Sequence, residues 1–121
     1  MPDHTQLTVR SRLEWRSWLE ANHERAAGIW LVRFKKGFGP YVSYEEAVEE
    51  AIAFGWVDSK SRTLDDRRSQ LLLTPRRPRS RWSSSNRERV VRLREQGLMS
   101  PAGEAAVCRA QADGSWDAQS K

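Results

Sequence analysis

Cysteine and histidine are scarce in this sequence, and their scarcity removes several kinds of site. The 121 residues include one cysteine, Cys108, and two histidines. One cysteine excludes an internal disulfide, and so few sulfur and nitrogen ligands leave no zinc site of usual spacing. No motif ties Cys108 to His23 as a nucleophile and its base, so we expect Cys108 to be a small buried thiol in a helix.

Long apolar runs are missing too. No stretch approaches the roughly 18 apolar residues that a membrane-spanning helix needs, and the polar N-terminus has neither the basic start nor the apolar run of a signal peptide. The sequence also lacks a glycine-rich phosphate loop and a nucleophile elbow. We therefore expect a cytoplasmic protein without membrane insertion and without a bound cofactor.

The composition that remains is typical of one folded domain. Hydrophobic residues make up 38% of the chain, and six of its residues are tryptophans, whose rings bury large areas. A chain of this length holds one hydrophobic core. We expect a single α+β domain over residues 9–116, with flexible ends over residues 1–8 and 117–121.

Hydrophobic periodicity and turn residues predict seven elements in the order α-β-α-β-β-α-α. The clearest signal is a capping box formed by Ser43 and Glu46, which begins a helix that Gly55 ends. The full set comprises helices over residues 11–22, 44–54, from 83 or 84 to about 96, and 101–113, and strands over residues 29–34, 56–59 and 69–74. This order predicts an α+β fold in which a small, mostly antiparallel sheet of about three strands packs with about four helices.

The positive charge of the chain is concentrated in one segment, residues 75–94. Eight arginines against the single acid Glu88 give this segment a charge of +7, and because the whole chain carries +5, the remainder carries −2. The cations of the segment are Arg76, Arg77, Arg79, Arg81, Arg87, Arg89, Arg92 and Arg94. A planar guanidinium binds a phosphate or carboxylate with two hydrogen bonds, whereas the ammonium of lysine acts as a point charge.

Four of these arginines precede a helix start at residues 83–86, where free backbone N–H groups and the helix dipole favour a phosphate. We therefore interpret the segment as an anion-binding surface. The structural alternative is that the arginines pair with nearby acids, of which Asp58, Asp65, Asp66 and several glutamates are available. The eight-to-one imbalance argues against that alternative because few partners are local. The same arginines argue against Mg²⁺ binding by those aspartates, so we expect no metal site.

Several short motifs together resemble the signature of the YdeI/OmpD-associated bacterial proteins. The motifs are Phe54-Gly55-Trp56-Val57-Asp58, Leu64-Asp65, Thr74-Pro75-Arg76-Arg77-Pro78-Arg79-Ser80-Arg81-Trp82-Ser83, Asn86-Arg87, Gly97-Leu98-Met99 and Pro101-Ala102-Gly103. The resemblance covers about residues 10–116 and implies distinctive positions at Trp56, Asp58, Arg76, Arg77, Ser80, Trp82, Ser83 and Asn86. Names in that family refer to bacteriocin protection and to association with an outer-membrane porin, so the resemblance implies a stress-related role. No catalytic chemistry is agreed for the family. Many members are longer, and we expect this chain to lack their C-terminal helical segment.

These observations lead to a site hypothesis. The expected surface for nucleic acid or another phosphorylated ligand consists of Arg76, Arg77, Arg79, Ser80, Arg81, Trp82, Ser83, Asn86, Arg87 and Arg89. Trp82 either stacks on a base or sugar, or caps the core beneath the loop. Trp56 is expected in the core, and Asp58 and Asp65 are expected to orient the first arginines of the segment.

The leading functional hypothesis is a non-enzymatic module that binds DNA, RNA or a phosphorylated ligand. One alternative is an enzyme acting on a small anionic substrate that Arg76 and Arg77 clamp, with Asp58 as acid or base. Another is an adaptor that docks an acidic protein. A deep pocket that joins Asp58, Arg76, Arg77 and Asn86 would favour the enzyme. A convex basic face would favour nucleic acid. The oligomeric state stays open.

Overall fold

A computed structural model of the chain describes residues 5–25 and 27–117, which form an α+β fold as predicted. The strands are β1 (Thr5–Thr8), β2 (Ile29–Phe34), β3 (Trp56–Thr63) and β4 (Arg68–Pro75). The helices are α1 (Arg12–Asn22), α2 (Tyr44–Ala53), α3 (Ser84–Glu95) and α4 (Pro101–Asp113). None of the helices in this described part is long and apolar enough to cross a membrane.

The sheet has four strands in the order β1-β2-β4-β3. β1 runs parallel to β2, and the other two pairs are antiparallel. The predicted count of about three strands was short by one because β1 lies in residues 5–8, which were expected to be flexible. β1 carries one apolar residue, Leu7, so no alternation marks it in the sequence. Residues 1–4 and 118–121, which the prediction of flexible ends also covers, lie outside the described residues.

Each helix begins after a serine whose side chain accepts a hydrogen bond from the backbone N–H three residues further on. These serines are Ser11, Ser43, Ser83 and Ser100. At α2 the cap is reciprocal, because the Glu46 carboxylate accepts from the Ser43 backbone N–H at 3.1 Å. The predicted capping box is confirmed, and the starts of the helices follow from local sequence.

The core lies between the helices and one face of the sheet. Trp15 and Trp56 are fully buried there, and each donates its indole N–H over 3.0 Å to a backbone oxygen, of Ala47 and His23 respectively. Trp56 is thus confirmed as a core residue, and truncating such a ring costs about 3 to 5 kcal/mol. α4 packs closely on α2 because Gly103 faces it, where a Cβ would collide with a backbone oxygen.

A buried carboxylate joins α1 to α2. Glu50 accepts hydrogen bonds from Arg12 at 2.5 Å and from Arg16 at 2.8 Å. Because each of its oxygens is paired with a guanidinium, the charge of Glu50 is compensated inside the fold. This is the ordinary arrangement for a buried charge in a protein.

Candidate anion-binding surface

Three of the four arginines of α3 are paired with carboxylates of neighbouring helices. Arg89 donates two hydrogen bonds to Glu45 of α2, at 2.8 and 2.9 Å, and Arg92 donates a third at 3.1 Å. Arg94 binds Glu104 of α4 at 2.7 Å. The hydrogen bonds from Arg89 lower the pKa of Glu45 to about 2. The structural alternative is therefore correct for these three arginines. The charge count within the segment missed their partners because those carboxylates lie on α2 and α4 and not in nearby sequence.

The other predicted residues at the start of α3 also serve the fold. Ser83 accepts from the Asn86 backbone N–H at 3.1 Å, so the helix uses that N–H for its own cap. Asn86 is buried, and its side-chain oxygen accepts from Arg89 at 2.7 Å. Arg87 donates to two backbone oxygens at 3.0 and 2.9 Å. In the structure Ser83, Asn86, Arg87 and Arg89 all make contacts that hold α3 in place.

The remaining part of the basic segment is the loop between β4 and α3, residues 76–83, which we call the arginine loop. Arg76 places its guanidinium carbon 3.9 Å from the centre of the Trp82 ring. Its Nη1 donates to Ser80 Oγ at 3.0 Å, whereas its Nε and Nη2 are buried without a hydrogen-bond acceptor among the described residues. Burial lowers the pKa of Arg76 to about 10, and the charge of Asp58 opposes part of that shift. The loop therefore holds a cation that lacks acceptors for two of its donor groups.

Trp82 does not face solvent. Its ring is 1% exposed and packs against Trp116, with the ring centroids 5.0 Å apart. A ring that is buried to this extent offers no face to a base. Of the two roles that the sequence left open, stacking on a ligand is therefore wrong, and capping the core beneath the loop is correct.

Three further arginines surround a cavity of about 110 Å³ beside Arg76. Arg77 and Arg79 come from the arginine loop and Arg109 comes from α4, and all three are exposed. Arg79 has a φ of 65°, a left-handed conformation that residues other than glycine avoid, and its backbone N–H donates to the Asp113 carboxylate at 3.2 Å. Within residues 5–25 and 27–117, neither Arg77 nor Arg109 forms an ion pair.

Arg109 of α4 was not predicted from the sequence, whereas the loop residues that line the same cavity were among those predicted. No motif marks Arg109, and only the packing of α4 beside the loop brings it to the cavity. Ser80 lines the same cavity and accepts from Arg76. Arg81 is exposed at the far end of the loop. The structure thus brings the loop arginines together with one arginine of a later helix.

The two aspartates that were expected to orient the arginines lie in different places. Asp58 on β3 accepts from the Tyr44 hydroxyl at 2.8 Å and lines an open groove of about 1050 Å³ together with Arg76. Asp65 lies in the β3–β4 turn and binds Arg68 at 2.7 Å, and this hydrogen bonding lowers its pKa to about 2. The prediction for Asp65 was wrong because the hairpin places it at the opposite end of β4 from the arginine loop.

The described part of the chain places the candidate metal ligands and Cys108. Residues 5–25 and 27–117 contain no group of three or more histidine, cysteine, aspartate or glutamate side chains that could hold a metal ion. Cys108 was expected to be buried, and it is exposed. The buried face of α4 consists instead of its neighbours such as Val107 and Ala110, so Cys108 falls on the solvent side of the helix.

Comparison with known families identifies a match over most of the chain. Residues 7–106, which include the arginine loop and α3, match the family model described as Domain of unknown function (DUF8412). Comparisons with curated proteins and with solved structures found no match. The assignment to the YdeI/OmpD-associated proteins, which the sequence motifs suggested, was wrong, since the matching family is a different one. The chain belongs to the family described as Domain of unknown function (DUF8412).

Proposed function

We propose that this chain is a non-enzymatic module that binds the phosphate groups of a nucleic acid through the arginine loop. The observation that carries the proposal is the buried guanidinium of Arg76, whose Nε and Nη2 have no acceptor among the described residues. Burial removes water from this cation, and the charge of Asp58 offsets only part of that cost. An anion bound at the loop would compensate that charge.

The surroundings of Arg76 fit phosphate groups. Arg77, Arg79 and Arg109 line the adjacent cavity, and the carboxylate among its lining residues is that of Asp113. Guanidinium groups bind phosphate oxygens with two hydrogen bonds, and a local excess of positive charge favours association with a polyanion. The exposed arginines lie on a surface loop and a helix and not inside a deep pocket, which favours an extended ligand over a small one.

Backbone strain at Arg79 supports the same proposal. A φ of 65° costs a residue other than glycine about 1 to 2 kcal/mol. Glycine adopts this conformation without that cost. An arginine at a position that favours glycine indicates that its side chain has a use outside the fold.

A second candidate, an enzyme acting on a small anionic substrate, is favoured by one observation. Asp58 lines the same groove as Arg76 and Arg77, so an acid or base lies near two cations. The groove is open, however, and Asn86, the fourth residue of the expected pocket, is buried on α3 instead. We therefore place this candidate second. Docking of an acidic protein stays a prediction.

Two double variants of equal charge test the proposal. Arg77→Gln with Arg79→Gln removes two loop cations, and Arg92→Gln with Arg94→Gln removes two helix cations, so each pair lowers the net charge from +5 to +3. Anisotropy of a labelled single-stranded oligonucleotide at about 50 and 200 mM salt measures affinity. We expect the loop variant to lose at least about tenfold in affinity. Its log–log salt slope should become shallower by about 1.4, for two lost phosphate contacts.

The helix variant should bind within about twofold of the wild-type chain, because its arginines already have partners in the fold. Melting curves check that both variants are folded. An equal loss of affinity in the two variants would mean that binding follows net charge alone and would contradict the proposal, as would a wild-type chain that does not bind at low salt. Weak oligonucleotide binding together with tight binding of a small phosphorylated compound would favour the second candidate.

A further inference from the structure

The face of the sheet that points away from the helices carries an aromatic ring. The residues of β2 and β4 that pack in the core with the helices are Ile29, Leu31, Leu71 and Leu73. Because side chains alternate along a strand, Trp30 and Leu72 point to the opposite face, where they are cross-strand partners. They are nevertheless only 5% and 7% exposed. Neighbouring side chains must therefore cover Trp30 on this outer face.

Arg62 of β3 is one of the side chains that cover it. Its guanidinium carbon lies over the Trp30 ring, 4.1 Å from the ring centroid. Arg62 is exposed, and in the part of the chain that the structure describes it forms no ion pair. The cation–π contact holds the guanidinium in place while part of it stays accessible to solvent. Nucleic-acid bases stack on arginine planes as well as on aromatic rings.

A groove connects this face with the arginine loop. Its lining includes Leu72 and Thr74 of β4 as well as Arg76. The groove also contains an acid, Asp58, whose carboxylate accepts a hydrogen bond from the Tyr44 hydroxyl. The groove therefore runs from the arginine loop to Leu72, the cross-strand partner of Trp30 on the outer face, with positive charge at the loop end.

Positive charge continues along β3. Lys60 is the cross-strand partner of Leu72, and Arg62 is the partner of Gln70. From Gln70 to Pro75, the last residue before the arginine loop, is a distance of five residues along β4, or about 17 Å. A ligand that contacts both ends must be extended over that distance.

We propose that Arg62, held over Trp30, is a stacking platform for a base of a single-stranded nucleic acid whose phosphates bind the arginine loop. This inference rests on the proposed function and adds the form of the ligand to it. In a duplex the bases already stack on one another, so a platform on a sheet face takes a base only from a single strand. A site of about four to eight nucleotides is the expected size.

Two probes separate stacking from charge. An oligothymidylate of about eight nucleotides carries bases, and a linear polyphosphate of similar length carries charge alone. Arg62→Lys keeps the charge and removes the planar group, and Arg67→Lys in the exposed β3–β4 turn is the matched control. We expect Arg62→Lys to weaken binding of the oligothymidylate about fivefold or more. A loss of about fivefold is the lower end of the range expected when one base stack is lost. Binding of polyphosphate should not change, and the control should alter neither probe.

Two results would overturn this inference. Arg62→Lys could bind the oligothymidylate as the wild-type chain does, or it could lose affinity for both probes equally, which would make Arg62 a cation alone. In either case the arginine loop proposal stands if the wild-type chain binds both probes and the variant Arg77→Gln with Arg79→Gln loses affinity for both. A wild-type chain that binds neither probe defeats both proposals.

A second variant covers the case in which Arg62→Lys does not fold. Arg62→Gln removes the guanidinium plane together with the charge and is measured at a temperature where its melting curve is still on the folded baseline. If it loses more affinity for the oligothymidylate than for polyphosphate, stacking is supported. If it loses the same factor for both probes, Arg62 acts as a cation alone and stacking is contradicted.

Discussion

The two halves of residues 75–94 contain four arginines each, and the fold uses them differently. The arginines of α3 each donate to an oxygen of the protein within 3.1 Å. In the arginine loop, Arg76 has buried donors without an acceptor among the described residues, and Arg79 has a strained backbone. In the helix half every arginine has a partner in the fold, whereas the loop half contains buried donors without acceptors and a left-handed backbone conformation.

This difference teaches that a count of arginines does not identify a binding surface. The carboxylates of Glu45 and Glu104 reach α3 from two other helices and compensate its charge. At the arginine loop the compensation is incomplete, and uncompensated charge or strain is what a functional site often shows. The loop arginines, and not the whole segment, are therefore the candidates for ligand binding.

The largest effect on stability is expected from a substitution that removes the ion pairs of α3. Glu45→Gln removes the carboxylate that Arg89 and Arg92 share. We expect the free energy of unfolding at neutral pH to fall by about 1 to 2 kcal/mol, since hydrogen bonds to charged groups are lost from a partly exposed site. Oligonucleotide affinity should stay unchanged. Chemical denaturation of the wild-type chain and the variant measures the difference.

The same variant has a pH signature that serves as its control. The pKa of Glu45 is lowered from 4.5 to about 2 in the folded protein. The carboxylate therefore contributes fully to stability above its unfolded pKa, and that contribution is lost as the pH falls through the folded pKa. The gap in stability between the wild-type chain and Glu45→Gln should close as the pH falls from about 5 to 2. A gap that stays constant over this range would contradict the pairing with Arg89.

A smaller effect is expected from two substitutions at Arg79. Arg79→Gly and Arg79→Ala remove the same charge, but only glycine adopts a φ of 65° without cost. Both should weaken oligonucleotide binding to the same extent. The glycine variant should be more stable than the alanine variant by about 1 kcal/mol, measured by denaturation. Equal stabilities would mean that the loop relaxes and that Arg79 is not strained.

The helices could be predicted from sequence because their signals are local. The N-cap serines set the starts, and glycines with φ of 81° and 71°, Gly55 and Gly97, follow the ends of α2 and α3. β1 could not be predicted in this way. Its pairing joins residues 5–8 to residues 29–32, and its four residues contain one apolar side chain.

The site was harder to predict because its contacts are not local. Arg89 meets Glu45 across 44 positions of sequence, so a charge count within one segment cannot find the pair. Trp82 lies among serines and arginines in the sequence, and its burial depends on Arg76 beside it and on the distant Trp116. Arg109 reaches the cavity only through the packing of α4. Local composition located the loop but did not distinguish its exposed residues from those that pack in the fold.

The most direct measurement follows the arginine Nε–H signals by NMR while a single-stranded oligonucleotide is added to the ¹⁵N-labelled chain. We predict that the signals of Arg77, Arg79 and Arg109 shift with the bound fraction, whereas those of Arg89 and Arg94 stay in place because their partners do not change. Shifts confined to the arginines of α3, or spread evenly over both groups, would contradict the assignment of ligand binding to the arginine loop.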